Sequence, residues 1–187
     1  MRYFIGFLVS LGLIILVLIM ILRGGGDNAK TPQTAKTLVS YATTDADVSL
    51  LMDGPVNSDK IHQQVRITVD ADQVTYQHLT GFDGTVADQQ VYPNTQAAYA
   101  PFLRALALAG FTEGDKDPAH ADYRGYCPLG QRYVFELNEG SNNLQRFWST
   151  NCTKGVPHTY LGDSPLTLTL FQKQVPDYDT LTANIAW

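Results

Sequence analysis

Cysteine is scarce in this chain. Only Cys127 and Cys152 are present, and no CxxC motif occurs. Two thiolates cannot complete a Cys₄ zinc site, so a zinc ribbon is excluded. Glutamate is nearly as scarce, limited to Glu113, Glu136 and Glu139, none with an evident partner. The four histidines, His62, His78, His120 and His158, never fall at HxxxH or HExxH spacing. G-x-S-x-G and S-x-x-K are also missing. A hydrolase needs a nucleophile beside a base, or paired carboxylates, and no motif supplies either. No catalytic residue, metal ligand set or cofactor is therefore expected. Positive charge is in deficit too. With Arg2 and Arg23 set aside, 11 Lys and Arg stand against 18 Asp and Glu. A domain this acidic repels phosphate backbones, which excludes nucleic acid as a partner. Internal repeats and low-complexity tracts are absent as well.

What the chain does have is one long apolar run. Tyr3 to Leu22 carries no charge, and its only polar side chains are Tyr3 and Ser10. At about 1.5 Å per residue, such a helix spans about 30 Å, the thickness of a bilayer's hydrocarbon core. Arg2 and Arg23 bracket it where cations reach the headgroups. A cleaved signal peptide has a shorter apolar region, about 7–15 residues, ending in a small-x-small site. A buried core helix that is apolar all round would need more domain than this chain has to cover it. Residues 1–23 therefore read as a transmembrane anchor held in the lipid bilayer through residues 3–22. Residues 24–32, with Gly24-Gly25-Gly26, read as a flexible tether, and residues 33–187 as one domain.

The side of the membrane is argued from opposing signals. Arg23, Lys30 and Lys36 follow the run, while Arg2 and the α-amino group precede it, a count that slightly opposes an outside domain. Long domains translocate largely regardless of charge, however, and a cysteine pair suits an oxidising compartment. The expected location is the cell membrane, single-pass, with the C-terminal domain outside the cytoplasm.

Within the domain, period-2 and period-3.6 patterns alternate. Thr31-Pro32 reads as a helix start, continued by Ala35, Leu38, Val39 and Ala42. Val48 to Met52 is an apolar run closed by Asp53-Gly54-Pro55. Val65, Ile67, Val69 and then Val74, Tyr76 alternate about Asp70-Ala71-Asp72, so 62–79 is expected to form a hairpin. Ala98, Phe102, Leu106 and Ala109 predict a helix capped by Asn94-Thr95 and closed by Gly110, with Pro101 as a complication. Tyr133, Phe135 and Leu137 predict a strand whose return runs from Leu144 to Ser149. Residues 165–174 fit either a strand of alternating leucines or a helix started at Asp163-Ser164-Pro165; the helix is favoured because Phe171/Val175 and Leu181/Ile185 continue its spacing. The expected fold class is α+β: an N-terminal transmembrane helix plus one domain with an antiparallel sheet of two hairpins packed by helices.

Cys127 and Cys152 are equidistant from the turn at Glu139/Gly140, which places them face to face across an antiparallel hairpin. A structural disulfide between them is expected. Around it crowd Tyr123, Tyr126 and Trp148, which pack the hairpin or form a binding face for glycan or peptide. The Asp45/Asp47, Asp70/Asp72 and Asp115/Asp117 pairs lack the rest of a calcium loop and read as turn residues. Asn151-Cys152-Thr153 fits the N-glycosylation pattern.

Gly6-Phe7 inside the apolar run resembles the processing site of type IV pilin-like proteins, and that resemblance implies an α+β head with a C-terminal disulfide loop. The family places a glutamate five residues after the cleaved glycine, where this chain has Leu11, and Gly24 to Gly26 breaks the helix that runs on in the family. The function expected from the residues is a membrane-anchored, non-catalytic binding or assembly module of the cell envelope, its partner an envelope protein or glycan. The alternatives are an enzyme acting on envelope polymers and a pilin-like subunit.

Overall fold

In the computed structural model, residues 36–152 and 155–185 are described. The apolar run 3–22, the tether 24–32 and the Thr31-Pro32 helix start lie outside them. Among the described residues no helix is long and apolar enough to cross a membrane.

The domain is α+β, built as expected on one antiparallel sheet, which has six strands and takes in both expected hairpins. Its strands are β1 Ala46–Asp53, β2 Gln63–Val69, β3 Gln73–Thr80, β4 Thr85–Pro93, β5 Arg132–Glu139 and β6 Asn142–Thr150. Their order is β4-β3-β2-β1-β5-β6, so the apolar run at 48–52 is the central strand that joins both hairpins. Its partners read off the register: Leu50 lies between Ile67 of β2 and Phe135 of β5. Val48, Met52, Val65, Val69, Tyr76 and Phe135 share the face that carries the core, all essentially buried.

Three helices lie in the chain beyond the first four strands: α1 Gln96–Leu108, α2 Ser164–Gln172 and the short α3 Tyr178–Thr182. Thr95 caps α1 by accepting from Ala98 N, and Gly110 follows at φ 77°, a conformation that favours glycine. The helix runs through Pro101, which lies inside it on the exposed side. The buried stripe is Tyr99, Phe102, Leu103 and Leu106; Ala98, expected in it, is exposed and Tyr99 takes its place. The Tyr99 hydroxyl ties α1 to the sheet by donating to the Ala46 carbonyl at 3.0 Å.

Residues 164–172 are helical, as the Asp163-Ser164-Pro165 start predicts. Asp163 accepts from Leu166 N at 2.9 Å, and Phe171 is buried edge-on to Phe102. The N-terminal helix expected up to Ala42 is replaced over the described residues by a 3-10 turn, Leu38–Thr43, in which only Leu38 and Ala42 are buried. With two inward residues, a longer α-helix has nothing to pack.

The two sheet edges differ. At β6 the Trp148 carbonyl accepts from Thr159 N and Tyr160 N at 3.0 and 2.9 Å, and Trp148 N donates to Thr159 Oγ1 at 2.8 Å. At β4 every residue but Tyr92 is exposed, and a bulge opposite His78/Leu79 interrupts the ladder. Gln89 N there is bonded to Asp88 Oδ1 at 2.8 Å. Both features blunt an edge against further pairing.

Candidate functional site

Strand residues alternate between faces, so the face opposite the core is written by the register. One cross-strand row on it is Leu79–Gln64–Asp53–Arg132–Thr150, the next Gln77–Arg66–Leu51–Val134–Trp148, and the third Thr75–Thr68–Ser49–Glu136–Arg146. No α-helix packs on this face among the described residues; the 3-10 turn Pro118–His120 lies against its Trp148. Loops close one end of it: Val56 N donates to the Pro128 carbonyl at 2.7 Å, joining the loop after β1 to the loop before β5.

Under those loops the first row holds a buried charge cluster. His62 is 1% exposed, Arg132 2% and Asp53 5%. His62 Nε2 lies 2.7 Å from Asp53 Oδ1, and its Nδ1 donates to the Pro55 carbonyl at 3.0 Å. Arg132 Nη2 is 2.9 Å from Asp53 Oδ2 and also donates to the Gly54 carbonyl. Gln64 Nε2 approaches His62 Nε2 at 3.2 Å, and the Phe82 ring tilts over the imidazole at 4.5 Å between centroids. Arg132 Nε finds no hydrogen-bond partner among the described residues. Burial this complete leaves no path for a substrate to Asp53 or His62; the cluster holds the loop ends to the sheet. No motif in the sequence singles out His62 or Arg132. The pairing depends on β1 and β5 being neighbours, a long-range fact that no local spacing announces.

Tyr123, Tyr126 and Trp148 come together near this cluster, in different roles. Trp148 is 1% exposed, stacked under Tyr126 at 5.2 Å, with its Nε1 donating to the His120 carbonyl at 2.8 Å. It therefore anchors the 118–126 loop to β6. Tyr126 is 39% exposed and half covers that indole. Tyr123 lies under the Arg146 guanidinium at 5.3 Å, and burial raises its hydroxyl pKa, with the charge of Asp53 adding to the effect. Cys127 and Cys152 form a disulfide with Cα atoms 5.8 Å apart, which fastens the loop's far end to the end of β6. A bond of this kind is consistent with an oxidising, extracytoplasmic compartment.

Between the loop and the β3–β4 turn opens a cavity of about 480 Å³, lined by Phe82, Ala121, Asp122, Tyr123, Arg124 and Arg146. Its arginines are held by carboxylates. Arg124 grips Asp122 through two nitrogens, at 2.9 and 2.8 Å, and holds that carboxyl down to about 2. Arg146 Nε donates to Glu136 Oε1 at 3.0 Å. Phe82, at 51% exposure, forms the opposite wall.

Other candidate groups are turn-makers. Asp70 Oδ1 accepts from Asp72 N and Gln73 N at 2.7 and 2.8 Å. Asp115 accepts from Asp117 N at 2.9 Å and from His120 Nδ1 at 2.6 Å, both contacts lowering its pKa. No protein-family model matches the chain, and neither a curated protein nor a solved structure matches it.

Proposed function

We propose that this protein is a membrane-anchored, non-catalytic binding module of the cell envelope. Residues 3–22 hold it in the bilayer, residues 24–32 keep it close to the surface, and the domain from residue 33 onward lies outside the cytoplasm. The carrying observation is the cavity between Phe82 and Tyr123, at the end of a sheet face on which no α-helix packs among the described residues. Binding modules expose polar side chains beside aromatic walls, so that one group orients a ligand while the other excludes water. The cavity has both: Asp122, Arg124 and Arg146 are its polar groups, and Phe82 and Tyr123 its aromatic walls. Asp53 and His62, the buried pair, are closed off by loops and do not offer themselves to a substrate.

Co-sedimentation tests the reading. Full-length protein in zwitterionic nanodiscs should pellet with insoluble envelope polymer from its own cells. The Phe82→Ala/Tyr123→Ala double variant should stay in the supernatant while keeping its melting temperature within a few degrees. Wild-type protein that fails to pellet, or a double variant that pellets equally, would overturn the binding-module assignment or its location.

A further inference from the structure

Phe82 is an apolar ring held in the open. It is 51% exposed, yet its place is fixed. Its amide donates to Asp59 Oδ1 at 2.8 Å, and its ring lies against His62 at 4.5 Å between centroids. Gly81 and Gly84 turn the chain on either side of it at φ 76° and 71°. The ring forms one wall of the cavity of about 480 Å³, and Asp122, Tyr123, Arg124 and Arg146 line it from the other elements. That volume falls in the usual range of ligand sites, roughly 300–1,000 Å³. Across the cavity the charges balance: Arg124 is paired with Asp122, and Arg146 with Glu136. An anion entering here meets no cation that lacks a counter-charge, and Asp59 and Asp83 both set carboxylate oxygens against Gly81, the residue before Phe82. A cation meets two guanidiniums. What the pairs still offer is hydrogen bonding. Arg124 Nη1 and Arg146 Nη2 make no hydrogen bond among the described residues, and the Asp122 side chain is 56% exposed.

We infer that this cavity binds an uncharged sugar ring of a neutral glycan, stacked on Phe82 and held by the Arg124–Asp122 pair. The inference rests on the binding-module reading and names its ligand class. A sugar hydroxyl both donates and accepts, so one hydroxyl takes an N–H from Arg124 and gives its own proton to Asp122. A carboxylate has no proton to give Asp122, and an ammonium has no lone pair for Arg124. Hydrogen bonds to ionised groups are the stronger kind, and here they form without a charge on the ligand. Phe82 supplies a flat apolar surface for the C–H face of the ring. Tyr123 does not compete for that role, because the Arg146 guanidinium already lies over its ring at 5.3 Å. A peptide strand finds few main-chain partners at this site. The amides of Gly81, Phe82, Gly84, Ala121 and Arg124 are all bonded within the domain.

The test uses full-length protein in zwitterionic nanodiscs and calorimetric titration at about 0.15 M salt. The probes are cellohexaose, its uronic acid counterpart, and an N-acetylglucosamine hexamer as a second neutral chain. At least one neutral chain should bind, about tenfold more tightly than the acid. Phe82→Leu keeps an apolar cover on His62 and removes the flat ring. It should weaken that binding about fivefold, and Phe82→Trp should restore it. Asp122→Asn takes the counter-charge from Arg124 at an exposed position, so the melting temperature should hold while the neutral chain binds more weakly and the acid more tightly. Tighter binding of the acid by the wild type would overturn the charge argument. An unaffected Phe82→Leu would overturn the stacking, and an Asp122→Asn variant that binds both chains as the wild type does would overturn the role of the pair. Tighter binding of a neutral proline-rich peptide would assign the cavity to a peptide instead. If neither neutral chain binds while envelope polymer still carries the protein into the pellet, the ligand class fails and the binding module stands.

Discussion

Arg132, Asp53 and His62 show how a polar cluster can be structural. Each alone would be costly to bury; together they satisfy many of one another's donors and acceptors, and two backbone carbonyls accept from His62 and Arg132, leaving Arg132 Nε without a partner among the described residues. Replacing Arg132 leaves the Asp53 carboxylate with less compensation in a site closed to water. Arg132→Met should therefore cost about 3–5 kcal/mol, read as a lowered urea midpoint. The Asp53→Asn/Arg132→Met pair should cost clearly less than the two single changes added together, because the second change removes the charge the first one stranded. Strict additivity would mean that the pair does not act as a unit. At this scale the sequence was least legible. Asp53 belonged visibly to a turn, Asp53-Gly54-Pro55, but nothing in the residues near His62 or Arg132 announced that the three would meet. The cavity was equally hidden: Tyr123 was picked out for its aromatic company, whereas Phe82 and Arg146 reach it only through the order of strands.

Elements were far more legible, because each advertises itself through local period and punctuation. The 62–79 hairpin, α1 with its Thr95 cap, and β5 and β6 about Gly140 all follow from alternation, capping and turn residues. β4 escaped notice for a physical reason. Val86 and Val91 are an odd number of residues apart, which strict alternation would put on opposite faces. The bulge opposite His78/Leu79 admits Ala87 as an extra residue and returns both valines to the same face, each about half exposed. An exposed edge strand also lacks the burial that selects apolar residues. The disulfide is the element-level link that spacing did announce. The bond closes a 25-residue separation and constrains the unfolded chain. In the chain-entropy account that is worth about 3 kcal/mol. Cys152→Ala should lower the melting temperature, reductant should do the same to the wild type, and the Cys127→Ala/Cys152→Ala variant should be no worse than either single change. A reductant-insensitive melting curve would show that the loop is fastened by Trp148 and Tyr126 without the bond.

At the scale of the whole molecule two sequence signals disagree about where the domain lies, and the disulfide is consistent with the one that places it outside the cytoplasm. Arg23, Lys30 and Lys36 after the apolar run outnumber the charges before it, which favours a cytoplasmic domain. That preference is weak for a domain of this length, because long domains translocate largely regardless of flanking charge. A bond between Cys127 and Cys152 makes a stronger demand, since thiols in a reducing cytosol stay apart. The same bond fastens the loop that carries Tyr123 and Arg124, so a reduced domain would loosen the very wall that the proposed ligand needs. Location and binding are thus expected to travel together. Protease added to intact cells should remove an epitope placed after Trp187, and alkylation of those cells before lysis should leave both cysteines unlabelled. The chain that remains should stay in the membrane pellet after alkaline carbonate. An epitope that survives until lysis, together with two labelled thiols, would put the domain in the cytoplasm and withdraw the envelope ligand with it. A protected epitope with an intact bond would instead separate the two arguments, and would show that the disulfide forms without an oxidising compartment.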